Sequence, residues 1–100
     1  MDIDRIEVEI SGLNPVDVVV FPKENKCIIN GVEKMLPEYQ INALLRIFIY
    51  WKSEYGSLNI IDAEEFNINI ISSGNTSTYH GKGIFPNNYN ELRKWIGDIK

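Results

Sequence analysis

Polar and apolar residues alternate from Ile3 to Ser11, with Ile6, Val8 and Ile10 on one side and Arg5, Glu7 and Glu9 on the other. A period of two is the mark of a half-buried strand, here with a charged outer face. Gly12, Asn14 and Pro15 break it. Val16 to Phe21 is more uniformly apolar and predicts a second, more central strand. Lys23 to Lys26 turns the chain, and Cys27 to Ile29 forms a third strand. Asn30-Gly31 then predicts a type I′ hairpin, because both residues tolerate a positive φ. Val32 to Met35 is the returning strand.

The period lengthens after Pro37, which opens a helix where its missing N–H costs nothing. Ile41, Leu44, Leu45, Phe48, Trp51 and Tyr55 recur at helical spacing and predict one long helix that stops at Gly56. Ile47, Ile49 and Tyr50 widen its apolar stripe, so the helix is either covered on two sides or partly used for binding. Leu58 to Ile61 fits a short edge strand or an ordered loop. Phe66, Ile68 and Ile70 alternate with Asn67 and Asn69 in a further strand. Ser73-Gly74-Asn75 turns it, and Thr76 to Gly83 returns antiparallel. Asn88 and Glu91 have the spacing of a capping box, ahead of a closing helix lined by Tyr89, Leu92, Trp95, Ile96 and Ile99. The expected architecture is α+β: one domain over residues 1–100, with a mostly antiparallel sheet of about five to six strands, one long central helix and one C-terminal helix.

Composition adds limits. Hydrophobic residues make up 44% and charged residues 24% of 100 positions, enough to build one core without metals or disulfides. The single cysteine, Cys27, excludes an internal disulfide and a cysteine-based metal cluster. The start, MDIDRIEVEI, lacks the basic and apolar regions of a signal peptide, and no apolar run reaches a membrane span. A reducing cytoplasm is the expected location. A net charge of −4 argues against direct nucleic-acid binding, which needs clustered Lys and Arg. The acidity is local. No Lys or Arg falls between Ser53 and Gly81, whereas Glu54, Asp62, Glu64 and Glu65 do. Such a field attracts a basic partner, although a solvated acidic loop has the same composition.

Chemistry finds little support. Cys27 and the sole histidine, His80, sit in no nucleophile motif, and Cys27 beside Ile28 and Ile29 reads as strand core. Gly81-Lys82-Gly83 lacks the longer glycine-framed loop, the following Ser or Thr and the immediate helix of a phosphate loop. It predicts a bulge or a close backbone approach instead. The acidic residues have no companion at ligand-like spacing, so neither metal nor cofactor is expected. Tyr39, Tyr50, Trp51 and Tyr55 cluster beside the acidic stretch, and aromatic rings near carboxylates are interface composition. Trp51 and Tyr55 lie on the core stripe, which leaves Tyr50 as the better contact residue.

The segment FNINIISSGNTSTYHGKGIFPNNYNELRKWIGDI, Phe66 to Ile99, resembles the C-terminal part of small immunity proteins from bacterial polymorphic-toxin and contact-dependent inhibition systems. The shared features are an alternating strand and polar turn, then Tyr79, Gly81, Lys82 and Gly83. Phe85-Pro86-Asn87-Asn88-Tyr89 follows, before an amphipathic helix. The resemblance implies a cytoplasmic inhibitor of a cognate toxin, with no catalytic residue and no cofactor. Nuclease toxins are commonly basic where they hold nucleic acid, and an acidic inhibitor fits such a surface. The expected contact residues are Glu54, Asp62, Glu64, Glu65 and Tyr50. A phage or mobile-element inhibitor of another host protein shares this physics. An enzymatic or small-ligand domain using Cys27, His80 or the Gly81–Gly83 turn is the remaining alternative.

Overall fold

A computed structural model describes residues 2–58 and 63–100. Its strands are β1 (Arg5–Ser11), β2 (Val16–Phe21), β3 (Lys26–Ile29), β4 (Val32–Met35), β5 (Glu54–Ser57), β6 (Glu65–Ser72) and β7 (Asn75–Lys82). Helix α1 (Glu38–Ile47) lies between β4 and β5, and α2 (Tyr89–Ile99) closes the chain. The seven strands form one sheet in the order β4-β3-β2-β1-β6-β7-β5. All neighbours are antiparallel except β5 and β7, which run parallel. The α+β class and the mostly antiparallel sheet match the sequence pattern. The strand count exceeds the expected one.

The alternation read from the sequence sorts the sheet into two faces. Ile6, Val8 and Ile10 of β1, Val16, Val18 and Val20 of β2, Cys27 and Ile29 of β3, and Phe66 and Ile68 of β6 are all buried. They join Ile41, Leu44, Leu92, Trp95 and Ile96 from the helices in one core cluster. Each fully buried side chain of this size contributes about 1.5–3 kcal/mol through removal of apolar surface from water. Two tight turns fix the register. Asn30 and Gly31 both have positive φ, as a type I′ hairpin demands. Ser73 and Gly74 do the same between β6 and β7.

The first helix is shorter than its apolar stripe predicts. It ends at Ile47, with Phe48 at the C-cap. The next amides tighten onto carbonyls three residues back, Phe48 onto Leu45 and Ile49 onto Arg46. Asn88 completes the stop: its side-chain amide donates to the Ile47 carbonyl at 2.9 Å and accepts from Trp51 Nε1 at 2.6 Å. One side chain therefore satisfies an orphan helix carbonyl and a buried indole N–H. With that side chain engaged, Asn88 makes no side-chain cap on α2, contrary to the capping-box expectation. Trp51 and Tyr55 leave the helix and pack into an aromatic cluster around Phe66. Of the segment Leu58 to Ile61, expected as an edge strand or an ordered loop, Leu58 lies beyond β5 and residues 59–61 are outside the described residues.

Candidate docking face

Both helices and all the buried strand residues lie on one side of the sheet, so among the described residues nothing covers the opposite side. Its outward residues are exposed or half-buried on all seven strands. The pairing register arranges them in rows. One row runs Asp17 (β2), Glu9 (β1), Asn67 (β6), His80 (β7) and Glu54 (β5). At roughly 4.8 Å per strand it is about 19 Å long. A second runs Ile28, Val19, Glu7, Asn69 and Thr78, and a third places Phe21 near Arg5 and Ile71. Glu9, Asp17 and Glu54 thus fall in the first row, whereas Glu33 lies beside Ile28 at the β4 edge, paired with Lys26. Val19, Phe21, Ile28 and Met35 add apolar area toward that edge, interleaved with Lys26 and Glu33, and Met35 is 81% exposed.

The two rows differ in how well they are satisfied. In the second, Thr78 donates to Asn69, Asn69 donates to Glu7 at 3.2 Å, and Glu7 pairs with Arg5 at 3.0 Å. In the first, Glu9 and Asp17 face each other across adjacent strands, and neither forms an ion pair among the described residues. Together they line a shallow cleft with Ser11, Pro15 and Asn30.

At the far end of that row His80 is held from both sides. Nδ1 lies 2.8 Å from Glu54 and Nε2 lies 2.8 Å from Glu65. A neutral imidazole has one donor nitrogen, so it can satisfy one carboxylate, whereas an imidazolium satisfies both. The hydrogen bond to Glu65 and then that to Glu54 raise His80 above the ordinary imidazole value, and burial opposes them. The same contact holds the Glu54 carboxyl below its usual range, helped by the Gly56 amide.

The structure separates the residues expected to share one contact patch. Glu54 and Glu65 meet on the open face through His80. Glu64 is on the helix side, where its carboxylate accepts from the Tyr89 hydroxyl and from Arg93 at 2.6 Å. Burial, followed by that Glu64 contact, pushes the Tyr89 phenol above its ordinary value. Arg93 also donates to the Asn14 carbonyl, so Glu64 belongs to a strut that fastens α2. Tyr50 is 93% exposed in the turn after α1, beside a groove formed by Trp51, Tyr55, Phe85 and Pro86. Asp62 lies outside the described residues. The expected union of aromatic rings and carboxylates in one patch is not formed, because Trp51 is buried and Glu64 faces the helices. Glu9, Asp17 and His80 were missed as members of the face. The alternation in β1 pointed to Glu9, but only the strand order reveals what lies beside it.

The possible reactive pair is not assembled. Cys27 is on the core side of β3, His80 is on the open side of β7, and three strands lie between them. Burial raises the Cys27 thiol above its usual value. Gly81 makes the close approach expected of it: a Cβ there would fall 2.6 Å from the Ile84 carbonyl and 2.7 Å from the Phe66 ring. Among the described residues no group of His, Cys, Asp and Glu is placed to hold a metal ion, and no helix is long and apolar enough to cross a membrane.

The architecture defines an α+β protein with one sheet face packed by two helices and the other open among the described residues. No family model matches the chain, and no curated protein or solved structure matches it at a significant level.

Proposed function

We propose that this chain is an immunity-type inhibitor, which docks the open face of its sheet on a basic protein, a nuclease-type toxin, and neutralises it by occlusion. The observation that carries the reading is the Glu9–Asp17 couple, which among the described residues has no ion-pair partner and lies on a sheet face that none of them covers. Like charges directly opposite on neighbouring strands destabilise a free protein. A partner's Lys or Arg placed between them turns that cost into attraction. The mixed face supports the same reading, since apolar area beside polar and charged groups is the anatomy of a protein interface. Net charge of −4 favours rapid encounter with a basic surface. No bound group or reacting side chain is required for inhibition of this kind.

The test is protection. The chain is co-expressed with the product of the gene directly upstream of its own, and growth is followed. Wild type restores growth and co-purifies with that product. A Glu9→Lys, Asp17→Lys double variant with an unchanged melting curve loses protection and binds at least tenfold more weakly. Full protection by that variant would remove the open face from the account. Absence of both binding and protection by the wild type would remove the immunity reading itself.

A further inference from the structure

The Glu54–His80–Glu65 clamp does a second job on the docking face, and this inference rests on the docking role proposed above. We propose that docking of a basic partner is coupled to loss of the His80 proton, because the partner's Lys or Arg takes over the carboxylates that the imidazolium now holds.

The geometry sets the competition. His80 occupies the same outward row as Glu9 and Asp17, and its ring lies between carboxylates from strands on either side of β7. Both contacts are 2.8 Å, and two ionised carboxylates at that distance are both satisfied only by a ring with a donor at each nitrogen. The charged groups facing the ring are Glu54 on β5, Glu65 on β6 and Lys82 two residues along β7, which is paired in register with Glu65. Beyond Asn67 the next is Glu9 on β1. Lys82 and, next to Ser53 at the start of β5, Lys52 are the nearby cations in the chain. The clamp is also accessible, since the Glu54 side chain is 61% exposed and Glu65 is 34% exposed. A guanidinium or ammonium arriving from solvent therefore reaches the same oxygens.

The coupling has a definite sign. When a cation engages Glu54 and Glu65, the imidazolium loses its hydrogen-bond acceptors and meets a like charge. It then releases its proton to the solvent. The complex binds one proton fewer than the free protein, so affinity rises with pH between the two His80 midpoints, by up to about tenfold per unit for one proton. By reciprocity the partner lowers the His80 midpoint.

Because His80 is the sole histidine, its ring resonances give an unambiguous titration. Hexalysine serves as the probe at low salt, with the full chain labelled for NMR. The free protein shows a ring protonated at both nitrogens, with a midpoint above the ordinary value. Added hexalysine lowers the midpoint, and its affinity climbs with pH through the same window. In a Glu54→Gln, Glu65→Gln variant the free midpoint falls and the hexalysine-induced shift is lost. Should that variant fold poorly, His80→Gln provides the check: its affinity for hexalysine is flat over the window. Binding with an unmoved midpoint and a pH-independent affinity would overturn the coupling and leave the docking role intact. No binding of hexalysine at any pH would overturn both.

Discussion

Glu9 on β1 and Asp17 on β2 are register partners on the open side of the sheet, and neither forms an ion pair among the described residues. The neighbouring row shows that the fold can avoid this, since Glu7 there receives both Arg5 and Asn69. Replacing either member of the couple by its amide removes repulsion without changing shape. Glu9→Gln and Asp17→Asn are each expected to stabilise the free protein by about 0.2–1 kcal/mol at low salt. Each is also expected to weaken partner binding. Urea unfolding and binding isotherms measure the two effects. A variant that lost stability would remove the strain on which the docking role is argued.

The clamp makes stability depend on pH from both sides. His80 has a raised folded-state value, so its contribution is complete below the unfolded value of 6.5 and fades as pH climbs through the folded midpoint. Glu54 is depressed, so its contribution is present above 4.5 and fades as pH falls through its folded midpoint. The clamp therefore helps most between those limits. Melting temperatures of wild type and His80→Gln should differ most in that interval and converge at alkaline pH. Parallel curves across the whole range would show that the ring contributes nothing through its charge.

Asn88 joins the end of α1 to the start of α2 through a single side chain. Asn88→Ala leaves the Trp51 indole N–H and the Ile47 carbonyl without their partners. Each unsatisfied buried group costs about 1–3 kcal/mol, less where water reaches it. A loss of about 2 kcal/mol in urea unfolding is expected. Asn88→Asp keeps the acceptor for Trp51 and loses the donor to Ile47, so it should fall between wild type and Ala.

The same residue shows where reading the sequence stops. Asn88 three residues before Glu91 satisfies a local capping rule, and local rules are all that spacing encodes. Whether an amide caps its own helix or reaches an indole 37 positions away depends on how the elements pack. The first helix failed for a related reason. Its apolar stripe runs to Tyr55, but Phe48 and Trp51 serve the core better from a turn that reaches β6 and β7. The strands other than β5 were legible from their apolar patterning, whereas β5 falls where the helical stripe was read to end at Tyr55 and Gly56. The Asn30-Gly31 turn was legible because its φ values are intrinsic to those residues. The candidate face was legible only in pieces. Glu7 and Glu9 could be placed on one side of β1, but the opposition of Glu9 to Asp17 and His80's position between two carboxylates required the strand order.

Glu64 and Glu65 are consecutive in sequence and opposite in duty, which gives the separation of fold from docking a sharp test. Glu64 holds Tyr89 and Arg93, so Glu64→Gln weakens the strut to α2. Hydrogen bonds to charged groups are worth about 1.5–3 kcal/mol, and partial exposure of this pair puts the expected loss near the lower end. Glu65 faces solvent through His80, so Glu65→Gln should cost little stability in the alkaline range, where the ring is neutral. Binding should respond in the reverse order. Glu65→Gln weakens a basic partner severalfold, whereas Glu64→Gln leaves affinity unchanged once it is measured on the folded fraction. Unfolding curves and titrations of both variants with one basic probe decide the matter. A stronger binding defect from Glu64→Gln would move the docking surface to the helix side of the sheet.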